Sequence, residues 1–282
     1  MSVDSVAVIG SGTMGRGIAH SAALAGRMVV LFDLTEELLD IAMRSIRQSI
    51  DEGVARGKTK AEIAKRAKEC ITLTTDLQDA AWVDLVIEAV PEDLELKRKV
   101  FGRLDTLAPA HTILASNTSS LSISAIAAAT HHPDRVIGLH YFNPANLMRL
   151  VEIIRGDLTS DATVSACYDF VKKLGKTPVI CKDSPAFIVN RIARPFYGEA
   201  FRMLGEDVAG HEDIDRLIRS LGFRMGPFEL LDLIGLDVNF AVTKSVYEAY
   251  FQDSRFRPHP IQQRMVESGR LGRKSGHGFY EY

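Results

Sequence analysis

The sequence predicts a two-domain protein: an α/β domain built on a doubly wound, mostly parallel sheet with a helical-hairpin insertion, then an all-α C-terminal domain. Three observations predict it. From residue 5 to about residue 182, apolar β-branched runs alternate with helical patterns, the order expected of βαβ units. The first of those runs enters a glycine-rich turn that opens a helix. After Asp183-Ser184-Pro185 the β-type runs stop and only helical stretches punctuated by Gly and Pro remain, which divides the chain into residues 1–184 and 185–282.

Strands are expected at 6–10, 29–33, 71–74, 85–90, 113–116, 136–142, 150–154 and 177–181. Several are apolar without alternation, as in strands covered on both faces. The polar helical stretch 36–70, interrupted at Gly53 and at Gly57-Lys58-Thr59, is too long for a simple crossover and reads as a helical hairpin. Beyond the boundary, helices are expected at 186–204, 212–220, 227–234, 237–251 and 260–268.

Bulk properties narrow the classes of function. A chain of 282 residues, 46% hydrophobic and 25% charged, is ordinary for a globular protein of about two domains. A net charge of −2 gives no global attraction for nucleic acid or membrane, so any anion-binding surface must be local. Cys70, Cys167 and Cys181 are widely spaced, with no Cys-x-x-Cys pair and no histidine cluster. Neither a disulfide frame nor a metal site is expected, and reduced thiols fit a cytoplasmic protein. The N-terminus lacks a basic region followed by an apolar stretch, and no apolar run approaches the roughly 18 residues of a spanning helix.

The segment Val6-Ala7-Val8-Ile9-Gly10-Ser11-Gly12-Thr13-Met14-Gly15 is a strand running into G-x-G-x-x-G, followed by a helix rich in small residues. Gly10 permits the tight turn, Gly12 lets backbone N–H groups of the turn approach a pyrophosphate, and Gly15 lets the helix pack on the sheet. Asp33 ends the next strand, about 20 residues on, where a carboxylate accepts hydrogen bonds from ribose hydroxyls. It would repel a 2′-phosphate, and Leu34, Thr35 and Glu36 offer no cation to bind one. The domain is therefore expected to be Rossmann-like and to bind NAD; a glycine turn with a capping Asp and no ligand is the alternative.

Val136-Ile137-Gly138-Leu139-His140-Tyr141-Phe142 places a histidine at a strand's carboxyl end, where parallel-sheet proteins gather their ligands. An imidazole titrating near neutrality suits removal of a hydroxyl proton during hydride loss. Glu152, an acid between apolar neighbours on the following strand, is costly to bury unless paired, and His140 is its candidate partner. A satisfied core histidine and an outward-facing glutamate remain open. Ala115-Ser116-Asn117-Thr118-Ser119-Ser120 also ends a strand; its polar groups serve either to orient a ligand or to cap a helix beginning near Ser122. Asn190, in an apolar helix opening, reads by pattern as a buried, satisfied amide.

With these residues assembled, the chain resembles the short-chain L-3-hydroxyacyl-CoA dehydrogenase family from end to end. The motifs that carry the resemblance are GSGTMG, VIEAVPEDLELK, SNTSSLSI, GLHYFNP, LVEII, SPAFIVNR, GPFELLDLIGLD and GRKSGHGFYEY. The resemblance implies oxidation of L-3-hydroxyacyl-CoA to 3-ketoacyl-CoA with His140 as base, Glu152 as its partner, and Ser119 and Asn190 on the reacting oxygens. It also places Glu92, Lys97, Asn117 and Lys274 around the dinucleotide, although Glu92 and Lys97 alone read as a pair on a solvated helix face. The helical hairpin is implied to lie over coenzyme A, with Lys58 its contact among Arg56, Lys58, Lys60, Lys65, Arg66 and Lys68, any of which reads equally as part of a solvated basic helix. A homodimer through the C-terminal domain is implied as well.

Residues 190–197 and 232–256 look more like the branch of aromatic (phenylacetate) degradation that handles 3-hydroxyadipyl-CoA than like the butyryl branch of fatty acid metabolism. Polypeptides of that branch are often longer. Arg194 is a candidate to meet a distal carboxylate, the alternative being a surface arginine before a proline kink. Two other classes stand beside this one. A dehydrogenase of free 3-hydroxy acids usually relies on a lysine base where Asn190 stands here; a non-enzymatic NAD-binding protein would have lost the base, whereas His140 and Glu152 are both present.

Overall fold

A computed structural model describes residues 2–282. The chain forms two compact units, one ending at Ser184 and one running from Pro185 to Tyr282. The first contains, in order, β1 (Ser5–Ile9), α1 (Thr13–Leu24), β2 (Met28–Phe32), α2 (Glu36–Ala55), α3 (Ala61–Glu69), β3 (Ile71–Thr74), α4 (Leu77–Ala81), β4 (Leu85–Glu88), α5 (Leu94–Leu107), β5 (Ile113–Ser116), α6 (Ile123–Ala127), β6 (Val136–Tyr141), β7 (Leu150–Arg155), α7 (Asp161–Lys173) and β8 (Thr177–Lys182). All eight strands form one sheet in the order β3-β2-β1-β4-β5-β6-β7-β8. The first six are parallel; β7 runs antiparallel to β6, and β8 is parallel to β7. Strand order reverses between β1 and β4, and the crevice outside their carboxyl ends is where such sheets bind ligands.

Burial explains the lack of alternation in the central strands. Every residue of β4, β5 and β6 is buried, so both faces must be apolar. β8 pairs only with β7 and is largely exposed; an edge strand tolerates its Pro178, which has no N–H to donate.

The hairpin forms, with one correction to its expected breaks. α2 continues through Gly53, and the chain reverses only after Ala55, with Gly57 at φ +66°. Gly53 answers to packing: a Cβ there would lie 3.0 Å from the Thr59 hydroxyl of the returning turn. Leu39, Ala42, Met43, Ile46 and Ile50 form the buried stripe of α2 at helical spacing.

His20 on α1 is 5% exposed. Burial, and secondarily the charge of Lys176, pull its pKa down to about 4. The folded state therefore disfavours the protonated ring. Above pH 6.5 the residue adds no pH dependence; as pH falls from 6.5 towards 4 the unfolded chain takes up the proton first and stability drops. The full shift corresponds to a loss on the order of 3 kcal/mol. A His20→Leu variant is expected to lose less stability between pH 7 and pH 4 in urea unfolding, and an equal loss in both proteins would refute the role.

The second unit consists of α8 (Val189–Gly205), α9 (His211–Ser220), α10 (Pro227–Ile234), α11 (Leu236–Ala249) and α12 (Pro260–Glu267). Tyr197, Ala200, Phe201, Ile214, Phe228 and Leu231 form a core cluster. Two buried acids hold the terminal segment. Asp215 accepts from Phe228 N, Glu229 N and the Tyr280 hydroxyl, and Asp232 from Phe279 N, Tyr280 N and the Tyr282 hydroxyl. A Cβ on Gly278 would collide with the Asp232 carboxylate, so glycine is required there.

Candidate active site

β1 passes through residues 10–12 into α1. Gly10 takes φ +98°, and a Cβ there would sit 2.8 Å from the Ala89 carbonyl oxygen; a Cβ on Gly15 would collide with the carbonyl oxygen of Gly10. Gly12, the N-cap, faces open space and supplies no side-chain cap, so the N-terminus of α1 remains able to take an anion. Asp33 Oδ2 accepts from Ser11 N at 2.8 Å and Ser11 Oγ at 2.5 Å, while Oδ1 accepts from Leu34 N at 2.7 Å. Asp33 thus anchors the glycine turn, and a carboxylate has about four acceptor directions, so capacity for a ribose hydroxyl remains.

A cleft of about 1290 Å³ is lined by Gly10, Gly12, Thr13, Met14, Asp33 and Val90, among others. Common ligand pockets measure about 300–1,000 Å³, so this one suits an extended ligand. The small-residue turn, the uncapped helix end and the acid after β2 fit a dinucleotide. Lys99 and Arg103 also line the cleft. The turn motif gives no sign of them; only their spacing of four, which puts both on one face of α5, offered a clue.

The second cluster is built by sheet register. His140 on β6 stands directly opposite Glu152 on β7. His140 Nδ1 lies 2.7 Å from Glu152 Oε2, and the side chains are 7% and 1% exposed. Glu152 is therefore not outward-facing. The Phe142 ring packs on His140 at 4.4 Å between centroids. Asn117 secures the neighbouring strand ends: its N donates to Glu88 O at 2.8 Å, and its Oδ1 accepts from Tyr141 N at 2.9 Å.

The reading of Glu92 and Lys97 as a solvated pair fails. Lys97 is 1% exposed and sits between two carboxylates, with Nζ 2.7 Å from Glu88 Oε1 and 3.3 Å from Glu92 Oε2. Glu88 Oε2 accepts from Ser116 Oγ at 2.7 Å. Glu92 Oε1 accepts from Thr118 Oγ1 at 2.6 Å, Ser119 N at 2.9 Å and Ser119 Oγ at 3.2 Å. Desolvation works against the Glu92 carboxylate, but Lys97 and these hydrogen bonds outweigh it and hold its carboxyl below the usual range. A chain of polar contacts thus runs from Ser116 through Glu88, Lys97 and Glu92 to Ser119. The helix cap belongs to Ser122, whose side chain accepts from Ala125 N at the start of α6, so the earlier polar residues are used otherwise. Glu88 was legible only as an acid closing an apolar strand, the same signal that marks Glu152.

Lys58 is exposed in the turn between α2 and α3. Arg56 pairs with Glu52 and Lys68 with Asp51, whereas Lys58, Lys60, Lys65 and Arg66 make no ion pair among the described residues. In the second unit, Asn190 lies half-buried in the first turn of α8. Lys274 is partly exposed, with Nζ 2.5 Å from Asp237. Arg194 is 5% exposed, which removes the surface-arginine alternative. Among the described residues no group of three His, Cys, Asp or Glu could hold a metal ion, and no helix is long and apolar enough to cross a membrane.

Residues 5–184 match the family model described as 3-hydroxyacyl-CoA dehydrogenase, NAD binding domain, and residues 187–282 the one described as 3-hydroxyacyl-CoA dehydrogenase, C-terminal domain. The chain is 49% identical over 283 residues to the 3-hydroxyadipyl-CoA dehydrogenase of Escherichia coli K12; the alignment covers 100% of this chain and 60% of that protein. It is 44% identical over 289 residues to human mitochondrial hydroxyacyl-coenzyme A dehydrogenase, covering 99% and 91% of the two. Among solved structures it is similar to a 3-hydroxybutyryl-CoA dehydrogenase from E. coli K12, with TM-score 0.97, 49% identity and coverage of 100% and 60%. It is also similar to the (S)-3-hydroxybutyryl-CoA dehydrogenase of Ralstonia eutropha, with TM-score 0.95, 40% identity and coverage of 100% and 99%.

Proposed function

The chain belongs to the 3-hydroxyacyl-CoA dehydrogenase family of NAD-dependent oxidoreductases, and on that premise we propose that it interconverts L-3-hydroxyacyl-CoA and 3-ketoacyl-CoA, with His140 as the acid–base group. The observation that carries the assignment is the buried His140–Glu152 pair at 2.7 Å. Nδ1 is committed to Glu152, so Nε2 is the ring atom that takes the 3-hydroxyl proton. The protonated ring then faces the buried Glu152 carboxylate, which stabilises the imidazolium and fixes its orientation. Bound NAD supplies the hydride acceptor, held by residues 10–15 and Asp33, with Glu92, Lys97, Asn117 and Lys274 around it. Ser119, positioned by Glu92, and Asn190 hold the reacting oxygens, and Lys58 meets a coenzyme A phosphate.

The acyl group is short or dicarboxylic, 3-hydroxybutyryl or 3-hydroxyadipyl, the latter consistent with a place in phenylacetate degradation. One relative is named 3-hydroxyadipyl-CoA dehydrogenase and another 3-hydroxybutyryl-CoA dehydrogenase, and the three free cysteines suit a cytoplasmic location. A homodimer through the C-terminal unit belongs to the same reading, supported by the exposed apolar side chains of Leu217, Leu221, Phe223 and Val238.

NADH formation at 340 nm with L-3-hydroxybutyryl-CoA, 3-hydroxyadipyl-CoA and free 3-hydroxybutyrate tests the reaction. Turnover of the thioesters and not of the free acid is expected. Turnover of the free acid alone would overturn the thioester assignment, and a monomer by sedimentation of the same preparation would remove the dimer.

A further inference from the structure

Helix α8 carries a buried charge that its own surroundings do not neutralise. Burial, the larger influence, pulls the Arg194 guanidinium down to about 10, with Tyr197 opposing. All of its hydrogen-bond partners are neutral oxygens. Nε donates to Asn190 O at 3.3 Å, and Nη1 donates to Asn239 O at 3.0 Å and Thr243 Oγ1 at 2.8 Å. The Tyr197 ring lies 5.2 Å from the guanidinium carbon. Among the described residues no carboxylate pairs with Arg194, and Nη2 has no protein partner.

A second donor nearby is also unused. Asn239 is 2% exposed; its Oδ1 accepts from Gln262 Nε2 at 3.0 Å, but its Nδ2 is buried with no partner. The contact between α8 and α11 therefore holds a full positive charge and surplus N–H donors, and it lacks an anion. A desolvated cation without a counter-ion is costly, and a ligand of opposite charge removes that cost.

We propose that Arg194 is a specificity-determining residue that receives the distal carboxylate of a dicarboxylic 3-hydroxyacyl-CoA, an inference that rests on the dehydrogenase reading above. Reach sets the chain-length preference. Arg194 shares a face of α8 with Asn190, and its Nε lies 3.3 Å from Asn190 O, so the guanidinium lies back over the Asn190 turn. In a six-carbon diacid the distal carboxyl carbon lies three bonds beyond C3, roughly 4 Å when extended. A charge-assisted hydrogen bond adds about 2.8 Å to that reach. A butyryl chain ends one carbon beyond C3 and leaves the guanidinium without its anion.

The experiment compares kcat/KM for 3-hydroxyadipyl-CoA and 3-hydroxybutyryl-CoA in the full chain, in Arg194→Met and in Arg194→Lys. The adipyl-to-butyryl ratio is expected to fall about ten- to hundredfold in Arg194→Met and by less in Arg194→Lys, which keeps the charge. Equal losses on both substrates would overturn the proposal. Should Arg194→Met fail to fold, the unmodified protein is assayed with the distal methyl ester of 3-hydroxyadipyl-CoA, which has the same chain without the charge. A ten- to hundredfold poorer ester is expected, and equal turnover of ester and acid would overturn the proposal. If no thioester is turned over at all, the dehydrogenase reading fails first, and this inference falls with it.

Discussion

Replacing His140 with glutamine is expected to lower kcat by about 10²- to 10⁴-fold on either thioester, the range a positioned general base contributes. Glutamine roughly preserves side-chain size and can still hydrogen-bond to Glu152, but it takes no proton from a 3-hydroxyl. NAD affinity is expected to change little, because the glycine turn and Asp33 are set by β1, β2 and α1 and not by the β6–β7 pair. The companion change Glu152→Gln keeps a hydrogen bond to the ring and removes the charge that stabilises the imidazolium, so it is expected to lower kcat with little effect on KM. Single-turnover measurement of NADH formation separates the chemical step from product release. Unchanged turnover in His140→Gln would remove His140 from the mechanism.

The largest expected loss of stability lies at the other end of the site. In Glu88→Ala the Lys97 ammonium, 1% exposed, would retain only the Glu92 carboxylate and the Val90 carbonyl, each at 3.3 Å. The Ser116 hydroxyl would lose its acceptor as well. Breaking a buried ion pair by removing one member typically costs about 3–5 kcal/mol; the surviving Glu92 contact moves the expectation to about 3 kcal/mol. Replacing both members restores neutrality. The double variant Glu88→Ala/Lys97→Met is therefore expected to be less destabilised than the sum of its parts, and a double-mutant cycle from urea unfolding measures the difference. Strictly additive effects would mean that the two groups are not energetically paired.

The sequence announced one of these two clusters far better than the other. His140 and Glu152 were visible because each interrupts an apolar strand and because successive strands often pair. Glu88 carries the same signal at the end of Leu85–Glu88 but was hidden beside the more conspicuous Glu92 and Lys97. Lys97 could not be told from a solvated lysine, since α5 is amphipathic and its neighbours Arg98 and Lys99 are at least partly exposed. Gly53 failed in the opposite direction: glycine suggested a helix break, whereas it lies inside a continuous helix where the Thr59 hydroxyl packs within 3.0 Å of the position a Cβ would take.

What the sequence by itself determined is what depends on short-range order: the alternation of strands and helices, the glycine turn with Asp33 after the next strand, and the switch to helices after Pro185. Those features follow from local sterics and from periodicity, which neighbouring residues suffice to specify. Only the tertiary structure decided which polar side chains lose their water and to whom they are then joined. The opposition of His140 and Glu152 depends on strand register, the burial of Lys97 on two acids that reach it from separate segments, and the missing counter-ion of Arg194 on the packing of α8 against α11. Desolvation is set by the whole surrounding shell of atoms, most of them distant along the chain, and no window of sequence contains that shell.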